Sequence, residues 1–205
     1  MKVLLVNGSY HEKGCTYTAL AEVEKALNAN GIETEIYQLG QHQFSGCKGC
    51  WACGKMKKCV IEDGVNEFVE KAAEFDGYVF GSPVYYASPS GALLSFMDRV
   101  FYSGGRSLAY KPAAAVVSCR RAGASTTFDV INKYFTINNM PVVGANYWNE
   151  IHGNKAEEAA QDEEGLQTMR ILGNNMAWLL KCIEKGKEAG LEPLKERKIR
   201  TNFIR

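Results

Sequence analysis

Apolar residues gather along the chain into short runs, separated by stretches where they recur every three or four positions. KVLLVN (2–7), GYVFGSP (77–83) and AAAVVSC (113–119) are nearly unbroken runs, the pattern of strands buried on both faces. IETEIYQL (32–39) alternates, and PVVGANY (141–147) predicts a fifth strand. Helical spacing fills the intervals. Residues 16–30 put Leu20, Val23 and Leu27 on one face and stop at Gly31. Residues 64–75 do the same with Val65, Phe68, Val69 and Ala72, and further helices are predicted over 91–102 and 126–138. A long last helix over 163–188 turns Leu166, Met169, Leu172, Met176, Leu179 and Ile183 to the core. Beyond Gly190 the chain is basic, with scattered apolar residues.

Strands alternating with helices imply a parallel sheet covered on both faces. Right-handed crossovers prune the topologies. The expectation is a flavodoxin-like, doubly wound, five-stranded parallel sheet of order 2-1-3-4-5, in three α/β/α layers. One domain spans 1–190, with a cysteine-rich insertion at 45–62 and a tail at 191–205. Such sheets bind ligands beyond the carboxyl ends of their strands, which directs attention to the loops after strands one, three and four.

Composition narrows the partners. With 205 residues, 46% hydrophobic and 23% charged, the chain suits a single folded domain. A net charge of +1 offers no electrostatic case for nucleic acid or an anionic membrane. MKVLLVNGSY holds four consecutive apolar residues, too few for a signal peptide or membrane span. Seven cysteines without such a signal point to the cytoplasm, where clustered thiols serve metals or catalysis more often than disulfides.

The loop after strand one, GSYHEKGCTYT (8–18), brings Ser9, Gly14 and Thr16 to a helix start. Free N–H groups there, with the two hydroxyls, form an anion site, although the same residues also serve as plain caps. Neither GxGxxG nor the Walker lysine pattern is present. After strand three, GSPVYYASPSG (81–91) offers prolines that stiffen a rim, with Tyr85 and Tyr86 beside it, as a flat aromatic ligand requires. SCRRAG (118–123) adds Arg120, Arg121 and Gly123 to the same mouth.

GSYHEKGCTYTAL, GSPVYYASPSGALLSFMDRVF and HGNKAEEAAQDEEGLQTMRILGNNMAWLL resemble the NADPH-dependent FMN reductase family of flavodoxin-like proteins. The resemblance reaches at least residue 185. It implies an FMN phosphate site at Ser9, Cys15, Thr16 and Tyr17, partly through backbone. It implies a ring site at Pro83, Val84, Tyr85 and Tyr86, closed by Ser118, Arg120 and Gly123. Cys15 stands at a helix N-terminus, where a lowered thiol pKa is one expectation. A backbone contact is the other.

GCKGCWACGKMKKC (46–59) places Cys47, Cys50, Cys53 and Cys59 at spacings of two, two and five residues. Zinc ribbons pair two Cys-x2-Cys units across a longer gap. Repeated x2 spacing is instead that of iron–sulfur runs, and with no second run Cys59 would close the same cubane. A zinc-bound or redox-sensitive loop is the alternative. Lys48, Lys55, Lys57 and Lys58 would offset the charge of a thiolate-bound cluster, and Gly46, Gly49 and Gly54 permit its turns. Val60, not proline, follows the last cysteine. The segment resembles the iron–sulfur flavoprotein branch of the family, which implies a 4Fe–4S cluster beside the FMN. Of the remaining thiols, Cys182 reads as core and Cys119 as modestly reactive beside two arginines. His11, His42 and His152 read as surface residues.

The leading reading is an FMN-dependent oxidoreductase passing electrons through a 4Fe–4S cluster and FMN to a quinone, flavin or peroxide, with ferredoxin or NAD(P)H as donor. No residue set for acid–base or nucleophilic catalysis is visible. The alternatives are an NADPH-dependent FMN or quinone reductase with a structural cysteine loop, and a flavodoxin-like carrier without a substrate. Trp51, Phe96, Phe101 and Tyr102 are candidates for a contact in a homodimer or dimer of dimers, with transfer between subunits; the helical three also fit a plain core.

Overall fold

The computed structural model describes residues 1–40, 42–197, 199, 201 and 203; the tail expectation at 198, 200, 202, 204 and 205 lies outside them. β1 (Lys2–Asn7) sends Val3 and Leu5 to one side of the sheet and Leu4 and Val6 to the other, all fully buried, as the two-residue strand period requires. α1 (Cys15–Ala29) buries Leu20, Val23 and Leu27. β2 (Glu33–Gln38) pairs parallel with β1 and forms an edge. A short α2 (Ala52–Met56) lies within the cysteine segment, ahead of α3 (Val65–Ala72).

β3 (Gly77–Tyr85) flanks β1 on its other side and turns into the two-residue β4 (Ser88–Pro89). α4 (Gly91–Leu108), β5 (Ala113–Cys119) and α5 (Ala124–Ile137) follow, then β6 (Glu150–His152), α6 (Ala156–Ala159) and α7 (Glu163–Glu188). The parallel path runs β2-β1-β3-β5-β6, with β4 antiparallel to the end of β3. This is the expected flavodoxin-like order with one added short strand. Leu4, Val6 and Phe80 pack with Phe68, Phe96 and Phe135 of α3, α4 and α5. Val3, Leu5 and Val79 pack with α1 and with Met169, Leu172 and Met176 of α7.

Three expectations need correction. The fifth strand is at 150–152, not 141–147. Val142 makes one bridge to Ala113, and the chain then bulges out before Glu150 pairs with Val117. Seven residues on this side therefore lie opposite three on β5, so a continuous ladder cannot form. α4 continues past 102 to Leu108. The added turn carries Gly104 and Gly105; a Cβ on Gly104 would collide with Val69, so glycine here admits α3 against α4. Cys182 is exposed rather than core. α7 turns Ala177 and Leu180 inward in its place, while Leu166, Leu179 and Ile183 are only partly buried.

Candidate functional site

The last residue of β1 organises the first loop. Asn7 is fully buried; its amide donates to Gln38 Oε1 at 2.6 Å and to the Glu12 carbonyl at 3.2 Å, and its Oδ1 accepts from Ser9 N. Gln38, ending β2, donates to the Ser9 carbonyl at 2.9 Å. An unpaired amide would be costly at this depth, so the two side chains fix one loop conformation. The loop delivers α1 with Gly14 as its N-cap and no side-chain cap. Thr16, in the first turn, is buried and shares a 2.8 Å hydrogen bond with Ser118 at the end of β5.

Serines set the second loop. Ser90 donates to the Gly8 carbonyl at 2.8 Å and caps α4 by accepting from Leu93 N, while Ser82 accepts from Ser90 N. Between β3 and β4, Tyr86 and Ala87 both hold positive φ, 51° and 57°. That is the backbone of a tight hairpin, a conformation usually given to Asn or Gly. Gly123, at φ 89°, lies against this turn; a Cβ there would stand 2.8 Å from Ala87 Cα.

These loops enclose a cleft of about 660 Å³ at the carboxyl edge of the sheet. Ser9, Cys15 and Thr16 line it from the first loop, Pro83, Val84 and Tyr85 from the second, and Ser118 and Arg120 from the third. Tyr17, Tyr86 and Gly123 do not. Tyr17 packs under Lys13, whose Nζ lies 3.9 Å from its ring centroid; Tyr86 projects fully into solvent; Gly123 supports the turn from behind. The segment after β6 adds a wall the sequence reading missed, with Gly153, Asn154 and Lys155. Both thiols of the cleft are held up, not lowered. Burial pushes Cys15 up, and its Sγ donates to the Gly153 carbonyl at 3.4 Å. Burial likewise raises Cys119, which corrects the expectation of a reactive thiol.

The cysteine segment forms a second site that shares no lining residue with the first. Cys47, Cys50, Cys53 and Cys59 all line one cavity of about 50 Å³ against α4. Gly49, Trp51 and Lys57 hold φ near 60°, so the backbone reverses sharply between the thiols. Among the described residues, no three His, Cys, Asp or Glu side chains converge tightly enough to hold a single metal ion.

Arg99 of α4, which the sequence reading missed, is the largest fully buried side chain and sits behind this cavity. Its position among Phe96, Met97 and Val100 on the apolar face was the available signal. Its Nε donates to Cys59 Sγ at 3.3 Å, and Nη2 to Asp63 Oδ1 at 2.7 Å. Although burial works against ionisation, the Arg99 guanidinium holds the Asp63 carboxyl below its ordinary range. Trp51 and Tyr102 stand edge to face at 5.9 Å beside the opening, both exposed. Phe96 and Phe101 are core instead, Phe101 packing on Phe80 and Tyr134. His11, His42 and His152 are exposed, as expected.

Residues 1–155 match the family described as NADPH-dependent FMN reductase. An iron–sulfur flavoprotein of Methanocaldococcus jannaschii is 36% identical over 193 residues, covering 90% of this chain and 100% of that protein. Among solved structures, RosB with bound 8-demethyl-8-formylriboflavin-5'-phosphate superposes with a TM-score of 0.72 at 16% identity, covering 100% of this chain and 92% of that one. A flavodoxin from the domain Archaea gives 0.62 at 15% identity, over 88% of this chain and 99% of its own. Among the described residues, no helix is long and apolar enough to cross a membrane. The chain belongs to the NADPH-dependent FMN reductase family, among its iron–sulfur flavoproteins, and is a flavin-dependent oxidoreductase.

Proposed function

We propose that the protein binds FMN in the large cleft and a 4Fe–4S cluster in the cysteine segment, and moves electrons between a donor, NAD(P)H or ferredoxin, and a quinone, flavin or peroxide. The observation that carries the flavin half is an uncapped helix N-terminus and three hydroxyls, from Ser9, Thr16 and Ser118, facing one cleft. Free N–H groups and the positive end of the helix dipole suit a phosphate. Val84 and the stiffened Pro83 offer an apolar edge for the ring. Tyr85, half exposed at the rim, covers it without sealing it from a small substrate.

For the cluster, the support is that all four cysteines line one cavity. Four cysteine thiolates are the ordinary ligand set of a 4Fe–4S cubane. FMN exchanges one or two electrons and the cluster one at a time, so the bound pair would join one-electron and two-electron partners. The chain's own part is to bind, orient and tune.

A homodimer or dimer of dimers belongs to the same reading. The two sites lie on different loops and share no residue, and the exposed Trp51–Tyr102 pair beside the cysteines suits a neighbouring subunit. The decisive experiment is purification without oxygen, followed by iron, sulfide and zinc assay and chromatography of heat-released flavin. FMN with iron and sulfide supports the proposal. Zinc without sulfide would favour a reductase with a structural cysteine loop, and stoichiometric FAD would sink the phosphate-site assignment. Absence of steady NADPH or ferredoxin turnover with any quinone would leave a carrier.

A further inference from the structure

Arg99 carries five N–H donors, and every one has an acceptor in the segment that bears the cysteines. Nε reaches Cys59 Sγ at 3.3 Å; Nη1 reaches the Ser45 carbonyl at 3.2 Å and Asp63 Oδ2; Nη2 reaches the Ile61 carbonyl at 2.8 Å and Asp63 Oδ1 at 2.7 Å. Ser45 lies just before the first cysteine and Ile61 and Asp63 just after the last. One guanidinium therefore ties both ends of the segment to α4 while touching one of its thiols. Its side chain is 1% exposed, so these bonds form in a low-dielectric setting where an unpaired charge would be expensive. The planar fork reaches five acceptors where a lysine ammonium reaches three at most. Asn66 completes the frame by donating to the Cys59 carbonyl at 3.0 Å and accepting from Cys59 N at 2.8 Å.

We infer that Arg99 is the positioning residue of the cysteine segment: it clamps the two ends and, through its N–H bond to Cys59 Sγ, sets the reduction potential of the group the cysteines hold. The inference rests on the cluster reading above for its second half and not for its first. A hydrogen bond and positive charge at a thiolate stabilise the more negative, reduced state, and Asp63 tempers that charge. The two residues therefore act on the potential with opposite sign.

The test compares full-length protein, prepared without oxygen, with R99Q, R99K and D63N, reading hydrogen exchange and the cluster's midpoint potential. R99Q is expected to exchange the amides of 45–63 at least tenfold faster, with β1, β3 and β5 unchanged, and to shift the potential negative. R99K, which keeps the charge but not the fork, restores part of the potential shift and little of the protection. D63N keeps the N–H bond to sulfur and removes the counter-charge, so its potential moves positive. Should R99Q fail to fold, D63N alone still decides the sign. Shifts of the same sign in R99Q and D63N, or none in either, would overturn the tuning role. Unchanged exchange in R99Q would overturn the clamp. A parent protein without iron and sulfide, whose R99Q variant still loosens 45–63, would remove the cluster reading and leave the clamp standing.

Discussion

On the proposed reading Thr16 would join folding to FMN binding, because its hydroxyl lies at the helix start and also bonds Ser118. Thr16→Val keeps the shape and removes the hydroxyl. FMN affinity should fall about ten- to a hundredfold, since a hydrogen bond to a charged group contributes roughly 1.5–3 kcal/mol. Fluorescence titration of the apoprotein reads this directly, and an unchanged Kd would leave Thr16 with its bond to Ser118 alone. Ser118, left with a buried hydroxyl, should cost about 1 kcal/mol of stability in the same variant. Single serine variants of Cys47, Cys50, Cys53 and Cys59 should each lose iron and sulfide after anaerobic reconstitution, whereas C119S and C182S keep both. Loss in C119S with retention in C59S would show the ligand assignment wrong. The sequence pointed to Ser9 and Thr16 because hydroxyls at a strand–helix junction carry a local meaning. It could not reveal that Cys15 is held up by burial, because desolvation depends on the chain more than a hundred residues later, at Gly153.

At the level of elements, the close approach of α3 and α4 depends on the missing side chain at Gly104. Gly104→Ala should gain helix propensity yet destabilise by about 1–3 kcal/mol, because overpacking against Val69 outweighs it. Denaturant unfolding checks the sign, and a stabilised variant would mean that the two helices slide apart freely. The buried strands and the long helices were legible because their periods are local. The strand at 150–152 was not: three residues carry no periodic signal, and PVVGANY imitates a strand that the register of β5 rejects. The two-residue β4 was equally invisible, since Tyr86 and Ala87 are poor hairpin-turn residues.

For the whole molecule, the layer of α1 and α7 is held partly by Glu22, which accepts from Arg170 at 2.9 Å and Lys25 at 3.0 Å. Burial raises the Glu22 carboxyl, but Arg170 and Lys25 prevail and leave it below its ordinary 4.5. A depressed carboxylate stabilises fully above its unfolded value and loses that contribution as pH falls through the folded one. E22Q should therefore cost about 0.5–1 kcal/mol near neutrality and nothing once the pH is well below 4.5. Equal cost at both ends of the range would assign Glu22 to packing alone. Sedimentation at micromolar concentration is expected to show dimers or tetramers and no monomer. A W51A/Y102A double variant that stays fully assembled would move the contact elsewhere.

The sequence by itself determined the class of fold, the loops that line the large cleft and the four cysteines that line one cavity. Each of these rests on short-range pattern: strand and helix periods, hydroxyls at a helix start, cysteines within fourteen residues. Tertiary structure decided what those groups face. It turned Tyr86 out to solvent and brought Gly153 to Cys15, because a hairpin and a crossover set their directions. It also placed Arg99, forty residues from Cys59 in sequence, behind the cysteine cavity. Long-range contacts of this kind follow from how the helices stack on the sheet, and no local pattern encodes them.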